Sequence, residues 1–157
     1  MRFNQVMSET PPVIAVLDDE PQMRKALRRL LATHGFSVEA YECGNDFLAA
    51  LPTHPADCLV LDLHMPEVNG FDVLEAFESQ HIPTPVVVLT GHDEPGTAER
   101  ALSLGASAYL AKPVDESALL YAIETVTGLG KRRVSGLSES MKPNASAVDP
   151  AATPERQ

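Results

Sequence analysis

The chain has 157 residues, 44% of them hydrophobic, and carries 22 Asp and Glu against 12 Lys and Arg, a formal net charge of −10 at pH 7. This is enough for one packed domain with length to spare, and the acidic balance disfavours direct binding of DNA or RNA. Apolar runs of about five residues fall far short of the roughly 20 that span a bilayer, no signal-peptide pattern opens the chain, and Cys43 and Cys58 have neither disulfide-framework nor metal-site spacing, so a cytoplasmic protein without membrane contact is expected.

Residues 1–10 read as a flexible leader. The run VIAVL at 13–17 is a β-branched strand. Pro21 stands where the first turn of a helix tolerates it, and Met23, Leu27, Leu30, Leu31 and His34 follow a helical period closed by Gly35. FSVEAY at 36–41 alternates as a strand, and GNDFLAAL at 44–51 is a short helix stopped by Pro52. DCLVL at 57–61 is the third strand. Asn69-Gly70 is a hairpin signal, but Phe71, Val73, Leu74 and Phe77 then recur at helical spacing, which favours a tight loop into a helix over 71–79. PVVVL at 85–89 reads as a strand buried on both faces. A helix is expected over 94–105, with Gly96 weakening its start, then a strand at 107–111 and a helix over 115–128. Residues 129–157 are rich in Ser, Ala, Pro and Lys, lack periodicity and read as a disordered tail. Charge divides along the same line. Residues 11–127 hold 18 acids against 6 Lys and Arg, whereas 128–157 hold 5 cations against 3 acids. The trio Lys131, Arg132 and Arg133 suits a helix C-terminus and a solvated linker better than a nucleic-acid patch.

Five β–α units imply an α/β fold with a parallel sheet covered on both faces and right-handed crossovers. In such sheets, sites form beyond the C-terminal ends of the strands. Strand one ends in Asp18, Asp19 and Glu20, strand three in Asp62, strand four in Thr90 and Gly91, and strand five in Lys112-Pro113. Any one of these acids reads best as a cap for the next helix or turn. As a set, if strands one and three are neighbours, they form a convergent carboxylate cluster whose repulsion a cation or a proton must relieve. All-oxygen ligands with room for water suit Mg²⁺. A carboxylate beside Mg²⁺, a hydroxyl and an ammonium suits a phosphoryl group, with Asp62 as nucleophile, Lys112 and Thr90 as contacts to its oxygens, and Gly91 leaving its N–H open to close approach. No Gly-rich nucleotide motif is present.

Four stretches, VLDDE (16–20), LVLDLHMPEVNGFDVL (59–74), VVVLTGH (86–92) and GASAYLAKPVD (105–115), resemble in order and spacing the receiver domain of two-component response regulators. The resemblance covers residues 12–127, within an expected receiver domain at 11–128, and the last two stretches are most similar to receivers of the FixJ/LuxR type. It implies a flavodoxin-like (βα)5 doubly wound sheet with strand order 2-1-3-4-5. It also implies that Asp62 accepts a phosphoryl group from a phosphohistidine on a sensor histidine kinase or a histidine phosphotransfer protein. Asp19 would bind Mg²⁺ directly and Asp18 at least partly through water, with Asp62 and the main-chain carbonyl of His64 completing the protein ligands. Lys112 would contact the phosphoryl group across a cis Lys112–Pro113 bond, and Thr90 with Tyr109 would form the switch pair.

Other residues keep two readings. Tyr109 by itself reads by default as an edge-strand aromatic covering the sheet, and Thr90 beside it favours the switch. Arg24, Lys25, Arg28 and Arg29 form a basic cluster that is a solvated helix face or a docking surface for the kinase. His64 and His92 are solvent-exposed loop imidazoles or groups that tune the lifetime of phospho-Asp62. No DNA-binding domain is expected after residue 128. Output is then expected by protein contact on the 94–126 face or by phosphorelay, and homodimerisation through the last helices stays open. The alternative is a Mg-dependent aspartate-nucleophile phosphohydrolase, whose signature needs an acid where this chain has His64. A phosphate-independent binding module would have no use for the full set Asp18, Asp19, Asp62, Thr90 and Lys112.

Overall fold

A computed structural model describes residues 10–128, so the expected leader and tail lie almost wholly outside the described residues. Ten elements alternate: β1 (Val13–Leu17), α1 (Pro21–Thr33), β2 (Ser37–Tyr41), α2 (Gly44–Ala50), β3 (Cys58–Leu61), α3 (Gly70–Ser79), β4 (Val86–Thr90), α4 (Thr97–Ser103), β5 (Ala108–Ala111) and α5 (Glu116–Thr127). All four strand pairs are parallel, in the order β2-β1-β3-β4-β5.

Strand side chains alternate between faces, and here both faces are covered. Ala15, Leu17, Leu59, Leu61, Val86 and Val88 join Phe47, Val73, Leu74, Phe77 and Ala101 of α2, α3 and α4 in one core. Ile14, Val16, Cys58, Val60, Val87 and Leu89 join Leu27, Leu31, Leu119 and Ile123 of α1 and α5 in the other. The inner strands therefore read as unbroken apolar runs, each large buried side chain contributing roughly 1.5–3 kcal/mol. His34 lies one residue past the end of α1. It caps the helix and is exposed.

The Asn69-Gly70 pair opens a helix rather than a hairpin. Asn69 Oδ1 accepts the Asp72 N–H at 3.0 Å while Asp72 returns the bond to the Asn69 N–H at 2.9 Å, a reciprocal cap. Gly70 is required by contact. A Cβ there would lie 2.6 Å from both the Asp62 carbonyl oxygen and Leu63 Cα. α4 is shorter than its pattern, because Gly96 caps it at φ 88 and Gly105 at φ 107 ends it in the same left-handed region. β4 runs one residue past its expected end and includes Thr90.

Candidate functional site

Register brings the acids together. Leu17 is paired with Leu61 across β1 and β3, and the Asp62 N–H donates to the Leu17 carbonyl at 3.0 Å. Asp18 and Asp62 therefore leave adjacent strands at one level, with Asp19 in the loop above. Carboxylate oxygens of Asp18, Asp19 and Asp62 lie within 4.8 Å of one another. Asp18 is 3% and Asp62 6% exposed, and Thr90 is fully buried. Asp19 is exposed.

Burial pushes the Asp62 carboxyl up to about 6, and the Asp18 charge adds to that. The Lys112 ammonium and the His64 N–H lower it less strongly, and the Asp19 charge adds a smaller upward push. A strand-end carboxylate is thus held where ionisation is costly unless positive charge arrives. Three hard oxygen donors, two of them withdrawn from water, fit Mg²⁺ as a ligand set.

Lys112 reaches the cluster from the end of β5, through a cis Lys112–Pro113 peptide. Its ammonium bonds Asp18 Oδ2 at 2.9 Å and lies 4.0 Å from Glu20. Sequence order pointed to a phosphoryl contact for this lysine, and the structure gives it an anionic partner already in place. Thr90 Oγ1 accepts the His92 N–H at 3.1 Å, which leaves its own proton free to donate. Tyr109 is half-buried on β5, and its hydroxyl donates to Asp93 Oδ1 at 2.9 Å. Burial first, then this partner, pushes the phenol up to about 12. At Gly91 an added Cβ would meet the flexible Lys112 side chain at 3.8 Å, an ordinary van der Waals contact.

His64 and His92 are both exposed, but they are not independent. Their rings stack with centroids 3.9 Å apart and planes 31° apart, joining the loops after β3 and β4 beside the carboxylates. The His64 N–H also donates to Asp62 Oδ1 at 3.4 Å. The basic cluster of α1 divides. Arg24 Nη1 donates to the Asp18 carbonyl at 2.8 Å and Arg28 Nη1 to the Val38 carbonyl at 3.1 Å, whereas Lys25 and Arg29 are exposed. The link from Arg24 to Asp18, the Tyr109–Asp93 bond and the histidine stack were invisible in the sequence. Only the i+2 spacing of His64 from Asp62 and of His92 from Thr90 hinted at the last.

Residues 14–124 match the response regulator receiver domain family. The chain is 37% identical over 112 residues to the transcriptional regulatory protein FixJ of Bradyrhizobium diazoefficiens, covering 71% of this chain and 55% of that protein. It is 33% identical over 140 residues to the response regulator protein TodT of Pseudomonas putida, covering 85% and 62% respectively. The chain thus spans little more than half the length of these curated relatives. Among solved structures, FixJ-N superposes with a TM-score of 0.71 at 31% identity over 78% of this chain and 96% of that one. A response regulator receiver protein from Burkholderia phymatum gives 0.67 at 36% identity over 74% and 95%. Sheet order, the carboxylate cluster at the ends of β1 and β3, and these matches agree: the chain belongs to the response regulator receiver domain family.

Proposed function

We propose that this receiver is a phosphorylation-driven switch of a two-component system, with Asp62 as the phosphoacceptor. The observation that carries the reading is the convergence of Asp18, Asp19 and Asp62 beside a lysine ammonium at the open edge of the sheet. An Asp62 carboxylate oxygen attacks the phosphorus of a phosphohistidine on a sensor histidine kinase or a histidine phosphotransfer protein. The P–N bond breaks, its electron pair returns to the donor imidazole, and an acyl phosphate forms on Asp62. Mg²⁺, when bound by Asp18, Asp19, Asp62 and the His64 carbonyl, supplies charge neutralisation between the carboxylates and the phosphoryl oxygens.

The chain's own residues do the rest. Lys112 passes from Asp18 to a phosphoryl oxygen, exchanging one anionic partner for another. The Thr90 hydroxyl turns to donate to a second oxygen and releases the His92 N–H. Tyr109 leaves Asp93 and moves inward as Thr90 moves, which biases a two-state equilibrium on the 94–126 face where a downstream protein docks. The receiver in this way assists its own phosphorylation and, by admitting water to the same phosphorus, its dephosphorylation. The stacked imidazoles of His64 and His92 border that water's path and set the lifetime of the acyl phosphate. The exchange is assigned to the cytoplasm, and no described helix is long and apolar enough to cross a membrane. The phosphohydrolase alternative gains nothing from the geometry, because the side chain two residues past Asp62 is an imidazole stacked on His92.

Acetyl phosphate with Mg²⁺ provides the test. Intact mass spectrometry is expected to show an adduct of about 80 Da, one phosphoryl group, on the wild type and none on Asp62→Asn. An unmodified wild type, or an equally modified Asn variant, would remove Asp62 from the role.

A further inference from the structure

Asp18 is gripped at every polar atom. Its Oδ1 accepts the Glu20 N–H at 2.9 Å, its Oδ2 the Lys112 ammonium at 2.9 Å, and its main-chain carbonyl the Arg24 guanidinium at 2.8 Å. Its own N–H donates to the Tyr41 carbonyl at 3.2 Å. Asp19 has no such support, and its exposed carboxylate makes no hydrogen bond among the described residues. The position from which the Asp19 side chain leaves the chain is therefore set by the backbone that delivers it.

The Asp18 carbonyl oxygen belongs to the peptide that joins Asp18 to Asp19. That unit is planar, so a bond to its oxygen also fixes the direction of the Asp19 N–H and the position of the Asp19 Cα. Arg24 is suited to hold it. The side chain is only 19% exposed and its other terminal nitrogen lies 3.4 Å from Glu42, just beyond the end of β2, so the guanidinium spans the gap between the two loops. The fork geometry of arginine makes both contacts at once, and a lysine ammonium at that position would have one compact point of contact.

We propose that Arg24 is a positioning residue that locks the Asp18–Asp19 peptide so that the Asp19 carboxylate faces Asp62 across the cation site. The inference rests on the reading of the three carboxylates as a divalent-cation site. Geometry and charge make opposite demands here. A guanidinium beside an anionic cluster repels an incoming divalent cation, so charge alone would have Mg²⁺ bind more tightly once Arg24 is removed. Positioning requires weaker binding, because without the lock only a fraction of molecules present Asp19 correctly and the apparent dissociation constant rises by the inverse of that fraction.

Mg²⁺ binding to the full chain, measured by isothermal titration calorimetry with the Asp19 amide tracked by NMR, decides between them. Arg24→Ala is expected to weaken Mg²⁺ binding by about tenfold, and Arg24→Lys, which keeps the charge, by at least about threefold. Glu42→Gln, which leaves the carbonyl bond in place, is expected to stay within about twofold of wild type. The half-saturating Mg²⁺ concentration for acetyl phosphate labelling should rise with the dissociation constant, the rate at saturation changing less. Unchanged or tighter binding in Arg24→Ala overturns the proposal while the site reading stands. Should Arg24→Ala lose its far-UV circular dichroism, wild-type affinity in Arg24→Lys overturns it equally. A wild type that binds no Mg²⁺ removes the site reading and this inference together.

Discussion

Replacing Asp62 by asparagine removes a charge held at a cost. The folded protein raises this carboxyl from 3.8 to about 6, chiefly by burial and then by repulsion from Asp18. At about 1.4 kcal/mol per pH unit the displacement is worth at most about 3 kcal/mol, and water at the mouth of the pocket screens part of it, leaving about 1–2 kcal/mol. Linkage gives the sign. A group whose folded pKa lies above its unfolded one contributes stability that is full below the unfolded value and is lost as pH rises through the folded value. Above about pH 6 the ionised Asp62 therefore opposes folding in metal-free buffer. Asp62→Asn is expected to be about 1–2 kcal/mol more stable than wild type at pH 7.5 in EDTA, with the difference shrinking toward zero by about pH 4. Urea unfolding monitored by far-UV circular dichroism reads this, since the chain has no tryptophan to report by fluorescence. Added Mg²⁺ should close the gap from the wild-type side, because the proposed cation site exists only in the folded chain. An Asn variant no more stable than wild type at pH 7.5, or a gap independent of pH, would refute the reasoning.

Gly70→Ala drives a methyl group to 2.6 Å from the Asp62 carbonyl and Leu63 Cα. A loss of about 1–3 kcal/mol in urea unfolding is expected, together with slower labelling of Asp62, whose backbone must shift. Asn69→Ala removes one half of the reciprocal cap of α3 and should cost about 1 kcal/mol by the same measurement, with labelling retained. Lys112→Ala takes the resident ammonium from Asp18, so calorimetry should show Mg²⁺ binding at least about threefold tighter, while labelling should slow with loss of the proposed phosphoryl contact. The opposite signs expected for Arg24→Ala and Lys112→Ala separate a cation that orients the carboxylates from one that competes with the metal. His92→Ala breaks the ring stack and should change the decay rate of phospho-Asp62 by at least about twofold, as read from intact mass against time.

Much of the fold is written in local patterns. Unbroken runs such as LVL before Asp62 and VVVL before Thr90, alternating with helical stripes such as Phe71, Val73, Leu74 and Phe77, are sufficient to name a doubly covered parallel sheet. The candidate site was legible because strand ends in such a sheet share one edge, so residues after each apolar run could be gathered without coordinates. Errors fell at element ends, where glycine in the left-handed region overrides a periodic pattern, as at Gly96 and Gly105. Partnerships were a different matter. Lys112 bonds an aspartate 94 residues away, Tyr109 one 16 residues away, and Arg24 a main-chain oxygen rather than solvent. Hydrophobic periodicity is imposed by neighbours along the chain and survives in one dimension. Which polar atoms meet depends on strand register, loop path and rotamer, and those are chosen only when the two cores close around the sheet.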